Sequence, residues 1–110
     1  MMSRTVEWER IFHGSMRYTI RLVYKFLKQN GYWFFCYTRL EKYFLKLSRE
    51  EGRDEWTWHT IERNIRRLAH EYRFFEKMPT KRGCYTPTER FFEAAERIKE
   101  VEESRGVRRW

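Results

Sequence analysis

The sequence predicts an α+β domain in the order helix, strand, helix, helix, strand, turn, strand, helix, with its strands paired in a small antiparallel sheet. Three observations carry this expectation. Apolar residues recur at helical spacing in four separate stretches. Short runs rich in aromatic residues stand between them, at Tyr32–Tyr37 and Arg73–Met78, with Cys84-Tyr85 close behind. Gly31, Gly52 and Gly83 each fall between patterned segments, where turns belong. A chain of 110 residues has room for one hydrophobic core. The elements are therefore assigned to one domain at 15–103, with an N-terminal extension at 1–14 and a basic tail at 104–110.

The first helix is expected from about Ser15 to Asn30. Met16, Ile20, Val23, Tyr24 and Leu27 share one helical face, and Arg17, Arg21, Lys25 and Lys28 occupy the polar face. Ahead of it, Trp8, Ile11 and Phe12 share a helical face, while the alternation of Val6 and Trp8 with Glu7 and Glu9 equally suits a strand. The run Tyr32-Trp33-Phe34-Phe35-Cys36-Tyr37 suits a short buried strand. Thr38-Arg39-Leu40-Glu41 reads as a capping box: the Thr hydroxyl takes a free amide of the first turn and Glu41 reaches back. The second helix, about 39–48, buries Leu40, Tyr43, Phe44 and Leu47.

Ser48 to Glu55 is a polar turn around Gly52. Thr57 is the expected N-cap of the third helix, 57–72, whose buried stripe is Ile61, Ile65, Leu68 and Tyr72. At about 100° per residue, the opposite face collects His59, Arg63, Arg66, Arg67 and His70, with Thr60 at its edge. Glu62 and Glu71 fall off the centre of that face. Arg73–Met78 reads as a strand, Pro79–Gly83 as a basic turn and Cys84-Tyr85 as the returning strand. Thr86-Pro87-Thr88-Glu89 reads as a capping box with proline at the first helical position. It opens a C-terminal helix at 87–103 with a stripe of Phe91, Phe92, Ala95, Ile98 and Val101.

Composition narrows the function. Lys and Arg number 24 against 16 Asp and Glu, a formal charge of +8. Mean hydropathy is −0.93, and no apolar run approaches the length of a membrane-spanning helix. Aromatic residues at 19% argue against disorder, despite 36% charged residues. Met1 to Gly14 lacks the apolar centre of a signal peptide, so a cytosolic protein is expected. Cys36 and Cys84 are too few and too far apart for a zinc module, and His13, His59 and His70 form no cluster at ligand spacing. There is no Gly-rich phosphate loop and no nucleophile elbow. No metal, cofactor or catalytic residue is expected. Glu50, Glu51, Asp54 and Glu55 form the one dense carboxylate group and read as a solvated turn. Two Asn and one Gln beside plentiful Arg and Glu resemble the bias of proteins from hot environments, with chance in a short chain as the alternative.

The charge is uneven. Residues 1–85 hold 18 basic and 10 acidic groups, residues 86–103 three basic and six acidic, and the tail adds Arg105, Arg108 and Arg109. A polyanion is expected to meet the first part and avoid the C-terminal helix.

Two stretches carry a resemblance. Thr60-Ile61-Glu62-Arg63-Asn64-Ile65-Arg66-Arg67-Leu68 is similar to a recognition helix, where a small polar residue, an Arg and two spaced aliphatics recur. Tyr85-Thr86-Pro87-Thr88-Glu89 is similar to the end of a wing and the start of the helix after it. With the order of elements, they resemble the winged-helix DNA-binding superfamily over roughly 15–103, in particular MarR- or PadR-like transcriptional regulators. The chain departs from those families at Tyr72 and Glu89, where they often carry glycine.

The resemblance implies a winged helix-turn-helix fold, double-stranded DNA as partner, and a role as transcriptional regulator. The third helix would enter the major groove, and the 79–83 wing would touch the flanking backbone or minor groove. The chemistry points the same way. Arg pairs with guanine in the major groove, and Lys or Arg on phosphates releases counterions. Arg63 and Arg67 are the first choice for base or phosphate contacts. Thr60 and Asn64 are candidates for base edges, Arg66, His59 and His70 for the same face, Lys81 and Arg82 for the wing tip, and Arg39 and Lys42 for phosphates. Arg63 has no acidic residue at i,i+4, and only Glu71 stands so to Arg67. A solvated charged face is the alternative.

Ile98 and Val101 lie beyond what is needed to cover Phe91 and Phe92. With Trp8, Ile11 and Phe12 they are the expected contacts of a homodimer, whose half-sites would lie about one helical turn apart. One longer helix packed on its own domain is the alternative. No small-molecule effector is evident. In a winged helix Cys36 and Cys84 lie on neighbouring strands, which allows a disulfide; two buried thiols acting as small apolar residues are the expected state. The aromatic run lacks the signature of RNA-binding sheets, so core packing is expected of it. Two other functions stay open: a protein-interaction module with basic faces for an acidic partner, and a non-specific architectural or replication-associated DNA binder.

Overall fold

A short helical turn, α1 (Trp8–Ile11), leads into α2 (Gly14–Asn30). β1 (Phe35–Cys36) passes directly into α3 (Tyr37–Glu51), followed by α4 (Trp58–His70). β2 (Phe75–Lys77) and β3 (Cys84–Pro87) form a hairpin, and α5 (Glu89–Ser104) comes last. This computed structural model describes residues 8–31, 33–52 and 55–106. The strands make one antiparallel sheet in the order β1-β3-β2, with Phe35 opposite Tyr85, Cys36 opposite Cys84 and Phe75 opposite Pro87. The architecture is α+β with a small three-stranded antiparallel sheet.

α2 packs against α1, α3, α4 and α5. Its expected stripe is buried, but so are Tyr18, Thr19, Arg21, Leu22 and Phe26. A helix contacted by four others has little face left for water, and the basic stripe read on it is largely engaged by groups of the protein itself. Arg21 is buried, Arg17 pairs with Glu102 at 2.8 Å, Lys25 lies 4.0 Å from Glu51, and Lys28 sits 5.4 Å over the Tyr24 ring. The boundary at Ser15 is also corrected. Ile11 is fully buried and α1 packs on α2, so the domain begins before Ser15. Residues 1–7 and the side chain of Trp8 lie outside the described residues, as does Tyr32.

Two helix starts differ from expectation for one reason: strand pairing outranks local capping chemistry. α3 begins at Tyr37, with Cys36 in the N-cap position, so Thr38 is already inside the helix and its capping box does not form. Cys36 is held opposite Cys84, and the Tyr37 amide donates to the Gly83 carbonyl at 3.0 Å. At α5, Pro87 is a strand residue opposite Phe75, and Thr88 takes the N-cap position instead of Thr86. The Thr88 hydroxyl donates back to the carbonyls of Arg73 and Phe74, at 2.9 and 3.1 Å. α4 starts as expected, with Thr57 Oγ1 accepting from the Thr60 amide at 3.3 Å. α2 and α3 both end on glycines with φ of 66°, Gly31 and Gly52, a left-handed conformation that costs glycine little.

Beneath the sheet, Phe35, Phe75 and Phe91 form a chain of ring contacts at 4.9 and 5.0 Å, and Tyr85 stacks on Phe35 at 5.7 Å. Burying side chains of this size stabilises by about 1.5–3 kcal/mol each. Leu40 and Phe44 of α3 and Ile61, Ile65 and Leu68 of α4 complete the interior. The expectation of two free thiols is overturned: Cys36 and Cys84 form a disulfide. They are direct partners in the β1–β3 register, which brings the two sulfurs within bonding reach.

Candidate nucleic-acid interface

Ile61, Ile65 and Leu68 are fully buried, and that anchoring turns His59, Arg63, Arg66 and His70 outward. All four are exposed, and no acidic residue lies at the centre of the face. Arg63 has no acidic partner among the described residues. Arg66 lies 3.4 Å from half-buried Glu62. An exposed i,i+4 pair of this kind is worth about 0.3–0.5 kcal/mol, so a phosphate can displace Glu62. Arg67 is gripped more firmly, its Nε and Nη2 donating to the two oxygens of Glu71 at 3.2 and 3.1 Å. Thr60 is half-buried beside its cap partner, with its hydroxyl 3.3 Å from that of Thr57.

Asn64 is a correction. It is 3% exposed, and its Nδ2 donates to Ser15 Oγ at 3.0 Å and Thr19 Oγ1 at 3.1 Å. It ties α4 to α2 and presents nothing to a groove.

The charges of Glu62 and Arg66 on α4 act on Tyr37, which links α4 to β3. Tyr37, at the start of α3, meets Trp58 edge-on at 6.3 Å and shares a 3.0 Å hydrogen bond with the Tyr85 hydroxyl. Burial, then that hydrogen bond, push the Tyr37 phenol well above its usual range, while the Arg66 charge acts in the other direction. Arg39 and Lys42 are exposed on the first turns of α3. The hairpin turn is braced by Met78 N–H to Cys84 C=O at 3.0 Å, and Lys77, Lys81 and Arg82 are exposed on it. Glu76 is the one acidic residue of the hairpin strands.

Trp33 is the feature that the sequence reading missed. It is 65% exposed, its ring 5.1 Å from that of Phe34, and Lys81 Nζ lies 5.0 Å over Phe34. Of the aromatic run, Phe35 enters the core cluster, Tyr37 packs against it half-buried, and Trp33 and Phe34 stay outside. A side-by-side run with only two strand residues has no alternation long enough to reveal this.

α5 also packs on α2, and its Glu89, Glu93, Glu96, Glu100 and Glu103 are all exposed. Two of the expected dimer contacts, Ile11 and Ile98, are corrected here. Ile11 and Ile98 are covered by their own chain, at 0% and 1% exposure, because α5 packs along α2 as one longer helix. Phe12 and Val101 are half-buried beside the Arg17–Glu102 pair. Of the tail, Arg105 is exposed, and residues 107–110 lie outside the described residues. Among the described residues, no group of three or more His, Cys, Asp or Glu could hold a metal ion, and no helix is long and apolar enough to cross a membrane. No protein-family model, curated protein or solved structure matches the chain.

Proposed function

We propose that the protein is a winged-helix binder of double-stranded DNA that acts as a transcriptional regulator. α4 enters the major groove, and the 79–83 turn serves as the wing on the flanking backbone or minor groove. One observation carries this: the exposed face of α4 is cationic and free of acid at its centre, and the hairpin turn is cationic as well. A helix fits the major groove, and cations there gain by releasing the counterions of the duplex. Arg63 takes base or phosphate contacts, with Arg66, His59 and His70 around it. Lys81 and Arg82 act from the wing, and Arg39 and Lys42 reach phosphates. Arg67 joins only by exchanging Glu71 for a phosphate.

A second function, sequence-independent DNA binding, is favoured by the burial of Asn64 and the pairing of Arg67, which withdraw two groups from base reading. A cytosolic setting belongs to the same proposal. Disulfides persist in the intracellular proteins of heat-loving organisms, and the sparse Asn and Gln agree with such an origin. Ile11 and Ile98, covered by their own chain, offer nothing to a two-fold dimer. The test is anisotropy of labelled duplex at low salt, followed by Arg63→Ala on selected and random sequences. A regulator loses sequence preference by about 1–3 kcal/mol, whereas a non-specific binder weakens uniformly. No duplex binding at low salt overturns both and leaves a protein-interaction module.

A further inference from the structure

We infer that Trp33 and Phe34, with Lys81 over the Phe34 ring, form a stacking platform for an unpaired DNA base beside the duplex. This rests on the duplex-binding function proposed above and extends it from duplex to duplex with a single-stranded tail.

Three observations lead there. Trp33 is the most exposed large apolar side chain of the described residues, at 65%. It stands in ring contact with Phe34 just before β1, so the platform is fixed to the sheet that carries the wing. Lys81 Nζ is held 5.0 Å over the Phe34 ring, and Lys77 and Arg82 are exposed on the same hairpin against the single acid Glu76. An exposed aromatic face could be covered by a second copy of the chain. A two-fold contact would then bring Lys77, Lys81 and Arg82 against their own counterparts, and like charges oppose it. Nucleic acid matches both features at once, with a flat π-face for the rings and phosphates for the cations. Within a duplex those base faces are already stacked on one another. The occupant is therefore a base at an unpaired end.

The experiment compares three DNAs at one salt concentration: a blunt duplex, the same duplex with a short single-stranded tail, and that duplex with an abasic tail. The abasic tail supplies the phosphates without the bases. The tailed duplex is expected to bind about tenfold tighter than the blunt one, with the abasic tail recovering little of the gain. Trp33→Ala should abolish the gain and leave blunt-duplex affinity unchanged, and Trp33→Phe should keep part of it. Equal gain from the abasic tail, or a gain that survives Trp33→Ala, overturns the platform. Binding to the blunt duplex with no gain from a tail overturns the platform and leaves duplex binding standing. No binding to any of the three overturns both.

Discussion

Asn64 directs its amide inward, and Thr19, which accepts from it, donates its own proton to the Ser15 carbonyl at 2.7 Å. Removing the amide strands buried hydroxyls, so Asn64→Ala should cost about 1–3 kcal/mol in denaturant unfolding. The DNA affinity of the folded variant should not change; lost affinity at unchanged stability would return Asn64 to the groove. Its spacing in α4, three after Ile61 and four before Leu68, did point inward. Its polarity argued otherwise, and its partners Ser15 and Thr19 lie 49 and 45 residues away, beyond any local pattern. Arg73 is a second residue with no local signal. Its φ is 60°, left-handed for a side chain that gains nothing there, in a turn where the Phe74 amide reaches back to the Leu68 carbonyl at 3.0 Å. Arg73→Gly should therefore stabilise the protein by about 0.5–1 kcal/mol, read as a higher unfolding midpoint. A lower midpoint would show that the Arg side chain contributes more than the strain costs.

Between elements, the contact of α5 with α2 includes one titrating pair. The Tyr24 hydroxyl donates to Glu96, and burial, that hydrogen bond and the carboxylate charge push the phenol up from 10.0 to about 12. Across that interval the folded chain keeps a proton that the unfolded chain has released. Folding then binds a proton, and stability falls as pH rises from about 10 to about 12. Thermal unfolding across this range should show the fall, and Tyr24→Phe should lessen it; an identical profile in the variant would detach the effect from this pair. A covalent tie between elements is the disulfide, which joins β1 to β3 across a separation of 48 residues. Its reduction should cost about 2–4 kcal/mol, visible as a lower unfolding midpoint in reductant. An unmoved midpoint with both thiols alkylated would mean that the register alone holds the sheet. Elements were legible where periodicity was long, as in the stripe Ile61, Ile65, Leu68. They were misread where a short local signature met a non-local partner: Thr86-Pro87 looks like a helix start and is instead paired with β2.

Over the whole molecule, the charge of +8 divides by position. The exposed acids are concentrated on α5 and the exposed cations of α4 stand on a different helix, both packed on α2. On the proposed function a polyanion docks on α4 and the hairpin, and that orientation is tested by salt. If Lys42, Arg63, Arg66, Lys81 and Arg82 each neutralise a phosphate, log K against log salt should fall with a slope of about −4 to −5. Replacing Lys81 and Arg82 together with Ala should make that slope shallower by about 2 and weaken all duplex sequences alike, because wing contacts to phosphate carry no base information. Replacing Glu93 and Glu100 with Gln should leave the slope where it was, since the proposed interface brings no phosphate to α5. A slope unmoved by the wing pair would take the hairpin out of the interface and leave α4 to bind alone. A slope altered by the α5 pair would mean that DNA lies across α5.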